Sequence, residues 1–228
     1  MDTLPQLYRK QMIEVKRRLI AIDRIFGAKK SKPRNLTVDL DNEFMWLQLR
    51  KVVELVAFSA IVADRDRYVA LRRQQDAHSN FQKDWRAEKI LGHLSNINPK
   101  FLPQACGQAK VDSHGTSHFE GLALAQQATL NRLVSIHRTA GEYLHVGNPF
   151  DPNTKQHEDA MRAVAREQIA IEHAYLKGIL AEHYKIGLQF KAGEDPTQLD
   201  NPKYSWIVTM GKADTPDIQM IQADALPV

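Results

Sequence analysis

An arginine and a histidine stand seven residues apart in one predicted helix, which begins after Thr129 and ends at residues 146–149. Seven residues make almost two helical turns, so Arg138 and His145 project from nearly the same face. Glu142, four residues after the arginine, lies on that face between them. An arginine beside a histidine can bind a phosphate group and transfer protons near neutral pH. The alternative interpretation is an ion-paired surface arginine and an unrelated histidine near a helix end.

A carboxylate within an apolar segment is the second feature with chemical potential. Residues 52–63 of a predicted helix are apolar on almost every side, and Glu54 is the one charged residue among them. A buried carboxylate without a partner is costly, so Glu54 needs a cation or a donor nearby. Its partner is either Arg50, one turn earlier, or a residue of the helix that carries the arginine and histidine. The sequence leaves both possibilities open.

Basic side chains cluster in two places. The first cluster is a predicted loop with Lys29, Lys30, Lys32 and Arg34. The second cluster consists of Arg65, Arg67, Arg72 and Arg73. Because the net charge is +4 and the isoelectric point about 9.1, these clusters are candidates for contacts with the phosphates of a nucleic acid. A solvated surface without a ligand is the alternative interpretation.

The composition is that of an ordinary globular protein, with 228 residues, 43% hydrophobic and 25% charged. Cys106 is the only cysteine, so no intrachain disulfide can form, and we expect a cytoplasmic protein. The amino terminus lacks the apolar core of a signal peptide. The most hydrophobic segment, residues 44–63, contains four strongly polar side chains, so we expect no membrane partner.

Hydrophobic periodicity predicts a mainly helical fold with a terminal β-hairpin. The predicted helices cover residues 4–26, 42–67 with Asp41 as N-cap, 68–77, 81–94 with Trp85 on the buried face, 130–145 and 155–186. Residues 99–128 form a long irregular connection, and residues 204–222 form the hairpin, in which Trp206 packs onto the body. This pattern divides the chain into a helical domain, residues 1–200, and a hairpin appendage, residues 201–228.

Other reactive residue types are not arranged in a recognisable catalytic or metal-binding pattern. His114 and His118 are four residues apart, but they lie in a predicted loop and lack the adjacent glutamate of zinc protease motifs. His137 falls on the apolar stripe of its helix, which favours a structural histidine. The sequence also lacks a phosphate-binding loop and a serine nucleophile elbow. We therefore expect no metal and no cofactor.

The arrangement resembles the HEPN superfamily (higher eukaryote and prokaryote nucleotide-binding domains). In these helical domains a late helix carries an arginine, four to six further residues and a histidine. Six residues separate Arg138 from His145, and the buried helix with Glu54 fits the same pattern. The resemblance covers about residues 42–186. It implies a HEPN-like helical bundle that acts on RNA as a homodimer, typical of toxin or antiphage-defence systems.

The resemblance also implies a mechanism, that of a metal-independent endoribonuclease. The RNA 2′-hydroxyl is the nucleophile, His145 is the general acid or base, and Arg138 holds the scissile phosphate. Glu54 would orient this pair, and Glu142 is the second supporting residue. Two alternatives are a non-catalytic module that binds nucleic acid or a partner protein, and a structural protein whose motif face is covered by its own 99–128 connection.

Overall fold

The computed structural model describes residues 3–28, 32–75, 81–148, 150–187, 204–212 and 215–223. These ranges are mainly helical and contain a small antiparallel sheet. The helices are α1 (Leu4–Phe26), α2 (Val38–Ala63), α3 (Arg65–Gln75), α4 (Ala87–Ser95), α5 (Leu130–Leu144) and α6 (Thr154–Ala181). Single turns of 3₁₀ helix lie at Phe81–Lys83 and Leu124–Gln126.

The strands are β1 (Gln104–Ala105), β2 (Lys110–Val111), β3 (Ser117–His118), β4 (Glu182–Gly187), β5 (Tyr204–Thr209) and β6 (Gln219–Ala223). Four of them form an antiparallel sheet in the order β1-β4-β5-β6, and β2 pairs only with β3. The predicted terminal hairpin is therefore confirmed as β5 and β6, but it belongs to a larger sheet.

Helix α2 is the central element of the bundle. It packs against α1, α4, α5 and α6, so its side chains are buried on several sides, as its apolar sequence predicts. Helix α1 covers one of these sides with a stripe at three- and four-residue spacing. The stripe consists of Tyr8, Met12, Val15, Leu19 and Ile22, each at most 5% exposed.

Both ends of α2 differ from the prediction. The helix begins at Val38 because the Thr37 hydroxyl accepts a hydrogen bond from the Leu40 N–H, and Thr37 rather than Asp41 is the N-cap. The Asp41 carboxylate instead accepts hydrogen bonds from backbone N–H groups of the preceding loop. At the other end the chain leaves helical geometry at Asp64, so the predicted helix to residue 67 is two helices, α2 and α3.

The last helix is also shorter than predicted. It ends at Ala181, and residues 182–187 form β4, whereas the sequence pattern predicts a helix as far as residue 186. Pairing of β4 with β5 along its whole length outweighs the helical pattern. Trp206, Val208 and Ile218 belong to the same buried cluster as the helices, so the hairpin packs into the common core. Trp206 lies against Tyr8, with ring centroids 5.3 Å apart, as the packing interpretation predicts.

A buried polar cluster, here called the interior junction, ties the sheet to the bundle. Lys185 on β4 is 0% exposed, and its Nζ donates to the Phe101 carbonyl at 2.6 Å. The same Nζ lies 3.5 Å from the carboxylate of Asp64 at the end of α2. The Asn98 amide donates to both oxygens of that carboxylate at 3.2 and 3.1 Å. Every charge in the junction has a partner, as burial requires.

The predicted connection between α4 and α5 is largely irregular, as expected, with β1 to β3 and one 3₁₀ turn as its regular parts. None of the described helices combines the length and apolarity that crossing a bilayer requires. Lys29 and Lys30 of the predicted basic loop lie outside the described residues, as do residues 76–80 at the end of α3.

Candidate functional site

Helix α5 positions Arg138. Thr129 caps the helix as predicted, since its hydroxyl accepts a hydrogen bond from the Arg132 N–H at 3.3 Å. Leu133, Ile136 and Ala140 bury one face of the helix, and Arg138 projects into solvent. The Arg138 side chain makes no ion pair with any residue that the structure describes, including Glu142 one turn later.

His145 leaves the helix, contrary to the sequence prediction. Helix α5 ends at Leu144, and His145 has extended backbone angles, with φ −88° and ψ 138°. The prediction that Arg138 and His145 share one face assumes that the helix includes His145. Because the helix ends one residue earlier, helical spacing does not determine where the His145 side chain lies relative to Arg138. The side chain of His145 is nevertheless exposed to solvent, as is that of Arg138.

Helix α6 lies close to the chain just after His145, at Gly147. A Cβ atom on Gly147 would lie 2.6 Å from the Glu158 carboxylate and closer still to the Thr154 methyl group. A side chain at this position would force the Thr154 and Glu158 side chains, or α6 itself, to shift. The Thr154 hydroxyl also donates to the Asn148 carbonyl at 2.8 Å and fixes the start of α6 against the turn.

The end of α5, the first half of α6 and the start of α2 enclose an open groove, here called the α5–α6 groove. It consists of two adjoining cavities of about 230 and 480 Å³. Glu142, His145 and Glu158 line both cavities. The first cavity is also lined by Asp39, Asn42, Glu43 and Arg162, and the second by His157.

Two histidines from different elements thus face one groove. His145 comes from the end of α5 and His157 from the first turn of α6. Neither side chain makes a hydrogen bond or an ion pair within the described part of the chain. Arg162, one turn after Glu158, lies 3.6 Å from its carboxylate. The groove therefore offers two imidazoles and a guanidinium to a ligand.

Stacked aromatic rings form the wall of the groove. Tyr143 stacks on Trp46 of α2, with ring centroids 4.8 Å apart, and its hydroxyl donates to the Met161 carbonyl at 2.7 Å. This side chain therefore joins α5 to both neighbouring helices. Asn42, 6% exposed, lines the groove, and its Oδ1 atom has no hydrogen-bond partner among the described residues. A buried acceptor of this kind needs a donor, and a ligand in the groove can supply one.

Glu54 lies apart from the groove, in a cluster between α2, α4 and α5. Its carboxylate accepts hydrogen bonds from Arg50 at 3.2 Å and Lys51 at 2.6 Å. Burial acts to raise the pKa of Glu54, but Lys51 and Arg50 together outweigh it, so the net shift is downward. The prediction of an Arg50 partner is confirmed. A carboxylate held in this way does not orient Arg138 or His145, so that expectation was wrong.

The residue of α5 that Glu54 does contact is His137. The His137 Nε2 atom lies 3.5 Å from Glu54, and Nδ1 lies 3.6 Å from Glu88 of α4. The His137 side chain is 13% exposed and sits between the two carboxylates. This geometry confirms the interpretation of His137 as a structural histidine, since it joins three helices.

The four arginines of the second basic cluster have different environments. Arg65 and Arg73 are exposed. Arg67 is 4% exposed and donates to the Ile97 carbonyl at 3.0 Å, so it cannot reach a nucleic acid, and its predicted role was wrong. Arg72 forms a two-pronged ion pair with Asp84, with contacts of 2.9 and 3.2 Å. The geometry of α3 directs Arg67 and Arg72 towards the protein and leaves Arg65 and Arg73 exposed, which sequence clustering does not show.

Two further candidates from the sequence have structural roles. Cys106 is 4% exposed, and burial together with Glu182 raises the pKa of its thiol to about 11, so it is a poor nucleophile. His118 lies 2.8 Å from Asp112, whose carboxylate also accepts the His114 N–H within the β2–β3 turn. The described residues contain no group of three or more His, Cys, Asp or Glu side chains placed to hold a metal.

Sequence reasoning missed three groove residues, which are Asn42, His157 and Arg162. None belongs to a local motif, because the groove is assembled from three helices that are distant in sequence. The one signal in the sequence was the segment around Gly147, which ends α5. At this segment α6 comes close to the end of α5. Comparison of the chain with known protein families, curated proteins and solved structures finds no match. Function must therefore be argued from these side chains.

Proposed function

We propose that this protein is a metal-independent endoribonuclease of the HEPN type and that the α5–α6 groove is its active site. The observation that supports this proposal is a pair of histidines, His145 and His157, which line one open groove and have no side-chain partner among the described residues. Cleavage of RNA through its own 2′-hydroxyl needs a general base and a general acid, and no protein nucleophile. Two imidazoles facing the same ligand supply both groups.

The proposed reaction is an internal transesterification. One histidine accepts the proton of the 2′-hydroxyl while the 2′-oxygen forms a bond to phosphorus. The other histidine donates a proton to the departing 5′-oxygen as the P–O5′ bond breaks. The products are a 2′,3′-cyclic phosphate and a 5′-hydroxyl. We assign the base to His145, following the motif, and the acid to His157, which opposes it from α6.

Arginines would stabilise the negative charge on the phosphate. Arg138 lies on α5, seven residues before His145, which directly follows the end of that helix, and its exposed side chain can approach the backbone of a bound RNA. Arg162 lines the groove itself and shares its charge with Glu158. We propose that Arg138 binds a neighbouring phosphate and that Arg162 lies closer to the reacting one.

RNA cleavage in the presence of EDTA tests the proposal. The wild type is expected to cut RNA, and Arg138→Ala, His145→Ala and His157→Ala are each expected to lose about 100-fold or more of that activity. His114→Ala is the matched control, because His114 is an exposed histidine in the β2–β3 turn. A single 2′-deoxynucleotide at the cleavage position should block the reaction. Unchanged cleavage by both histidine variants would disprove this active site.

We also propose a cytoplasmic homodimer, in keeping with the resemblance. The outward face of α6 carries small and apolar side chains that are exposed, namely Ala160, Ala163, Val164, Ala170, Ile171 and Ala174. Such a face can pack against its counterpart in a second copy. Light scattering is expected to give twice the mass of the chain for the wild type and the monomer mass for Ala174→Glu. A monomeric wild type would disprove the dimer and leave the groove proposal standing.

A second candidate function is a binding module without turnover, for nucleic acid or a partner protein. The observation that favours a basic protein partner is the charge of the groove, where the carboxylates of Asp39, Glu43, Glu142 and Glu158 outnumber the arginines. Val146 and Phe150, 96% and 93% exposed, add apolar surface at the same turn. This candidate predicts binding that falls steadily with salt, no new RNA ends after long incubation, and the same result in His145→Ala.

A further inference from the structure

A second open cleft lies on another part of the surface, between α3, the 3₁₀ turn at residues 81–83 and α4. We call it the α3–α4 cleft, and its volume is about 820 Å³. Four of its lining residues are cationic, namely Arg72, Lys83, Arg86 and Lys89. The one carboxylate that lines it belongs to Asp84. This charge balance is the reverse of that in the α5–α6 groove.

The carboxylate in this cleft is already neutralised. Asp84 accepts hydrogen bonds from Arg72 at 2.9 and 3.2 Å and from the Tyr68 hydroxyl at 2.8 Å. These contacts fix the wall of the cleft and leave no free charge there. The remaining cations come from the 3₁₀ turn and the start of α4.

Those remaining cations are exposed and recur at three-residue intervals. Lys83, Arg86 and Lys89 make no ion pair with any residue in the described ranges. Their charges are therefore available to a ligand. Burial and then the charge of Arg72 are the largest causes that lower the pKa of His93, which also lines the cleft; Asp84 opposes this shift, and Lys89 adds to it.

An exposed tryptophan stands among these cations. Trp85 lines the cleft and is 66% exposed, whereas the other tryptophans, Trp46 and Trp206, are at most 3% exposed. The Arg86 guanidinium lies 5.1 Å from the centroid of the Trp85 ring. A large aromatic surface of this kind is costly to leave in water unless a ligand covers it. Nucleobases stack on such surfaces, while their phosphates pair with the surrounding cations.

We propose that the α3–α4 cleft binds single-stranded RNA. A base stacks on Trp85, and successive phosphates contact Lys83, Arg86 and Lys89. The choice of RNA rather than DNA rests on the proposed function, but the cleft itself takes no part in the cleavage chemistry. It would hold the strand while another part of the molecule acts on it.

Binding can be measured apart from cleavage in the full-length His145→Ala protein. A fluorescein-labelled oligouridylate of 12 nucleotides is the probe, and fluorescence anisotropy gives its affinity. Trp85→Ala is expected to weaken binding about 10- to 100-fold, as loss of one stacked base does. Tryptophan emission should also be quenched on RNA addition, and this quenching should vanish in Trp85→Ala, because the other tryptophans are buried.

The charges are tested by a triple variant in which the three cleft cations are replaced by glutamine. Its affinity is expected to depend less steeply on salt, with the log–log slope reduced by about 2, since each phosphate contact contributes about 0.7. The matched control removes three exposed lysines outside both basic clusters, at Lys100, Lys110 and Lys212. It lowers the net charge equally and should leave the slope near that of the parent.

Equal affinities and slopes for the two triple variants would overturn the proposal. Polyglutamate that displaces RNA completely, together with unchanged RNA binding by Trp85→Ala, would also overturn it and indicate a surface for acidic proteins. Because all these measurements use the His145→Ala protein, they succeed or fail independently of the proposed nuclease. If the nuclease proposal is wrong, the wild type will instead produce no new RNA ends.

Discussion

The interior junction and the α5–α6 groove both contain several polar side chains, but the two regions differ in whether those side chains have partners among the described residues. In the junction, Lys185 and Asp64 are fully buried and each has partners within the chain. In the groove, His145 and His157 are exposed and unpartnered among the described residues, and Asn42 has a buried oxygen without a donor. The junction uses its polar groups to hold the sheet on the bundle. The groove leaves its polar groups available for a ligand.

Two histidines show the same contrast at the level of single side chains. His183 on β4 is 0% exposed, its Nδ1–H donates to the Leu180 carbonyl at 3.1 Å, and its Nε2 accepts from the Tyr8 hydroxyl at 3.1 Å. Both nitrogens are occupied, and burial lowers its pKa to about 4. The His145 side chain is exposed, and its ring makes no hydrogen bond with any residue that the structure describes. Only a histidine of the second kind can exchange protons with a substrate.

The largest expected effect comes from breaking the interior junction. Lys185→Met removes the ammonium group that lies 3.5 Å from the buried Asp64 carboxylate, so we expect a loss of about 3–5 kcal/mol in the free energy of unfolding. Urea denaturation measures it. Lys110→Met is the control, because Lys110 is exposed and should change stability by less than about 0.5 kcal/mol. Similar losses in the two variants would show that the junction does not hold the fold together.

The dependence of protein stability on pH tests whether His183 is buried in its neutral form. Its folded pKa of about 4 lies below the ordinary 6.5, so the unfolded chain binds the proton more tightly. Neutral His183 therefore contributes its full stabilisation above pH 6.5. As the pH falls towards 4, the free energy of unfolding decreases by about 3 kcal/mol in all. His173, whose pKa is also lowered, chiefly by burial, adds a loss of the same sign.

The pH dependence of urea denaturation between pH 7 and 5 measures this loss. In His183→Gln the side chain no longer titrates, so stability should fall less steeply over that range. In His145→Ala the slope should match the wild type, because His145 is exposed. An identical slope for His183→Gln and the wild type would contradict the buried neutral state of His183.

A smaller effect is expected where α6 approaches the groove. Gly147→Ala inserts a Cβ atom against the stiff Thr154 side chain, so we expect a loss of about 1–3 kcal/mol and a widened groove. Gly178→Ala is the matched control on α6, since its Cβ would meet nothing within 4 Å, and helix propensity predicts a gain of up to about 1 kcal/mol. Thermal denaturation compares them. A stabilised Gly147→Ala protein would show that the close approach is not required.

The smallest effect on stability is expected at Asn42. Asn42→Leu removes a buried acceptor that has no partner, so the free energy of unfolding should stay the same or rise by up to about 1 kcal/mol. RNA cleavage should nevertheless fall, because the ligand loses a contact. Urea denaturation and a cleavage assay on the same protein check both parts. A marked loss of stability would place Asn42 with the structural residues of the junction.

Sequence periodicity predicted the elements whose stability is local. The bounds of α1 follow from hydrophobic spacing and the Thr129 cap of α5 from its residue type, and the structure confirms both. Strand β4 could not be found this way, because its conformation depends on pairing with β5, about 20 residues later. Trp85 was predicted to be buried from its helical spacing, yet it precedes α4 and is exposed. Hydrophobic spacing did not predict where β4 and α4 begin.

The candidate site was predictable only in part. Arg138, Glu142 and His145 come from one segment, and helical spacing places Arg138 and Glu142 away from the buried residues of α5, whereas His145 lies beyond the end of the helix. His157 comes from α6, and its approach to His145 depends on the turn at Gly147 and on packing that no local pattern encodes. The inward direction of Arg67 likewise depends on the bend at Asp64.

The most direct test of the account compares cleavage and binding in one pair of proteins. Wild type and His145→Ala are incubated with the same labelled RNA in EDTA, and both the new RNA ends and the affinity are measured. The account predicts that His145→Ala loses cleavage by about 100-fold or more and keeps the affinity of the wild type. Equal cleavage rates for the two proteins would contradict it, because the chemistry would then lie outside the groove.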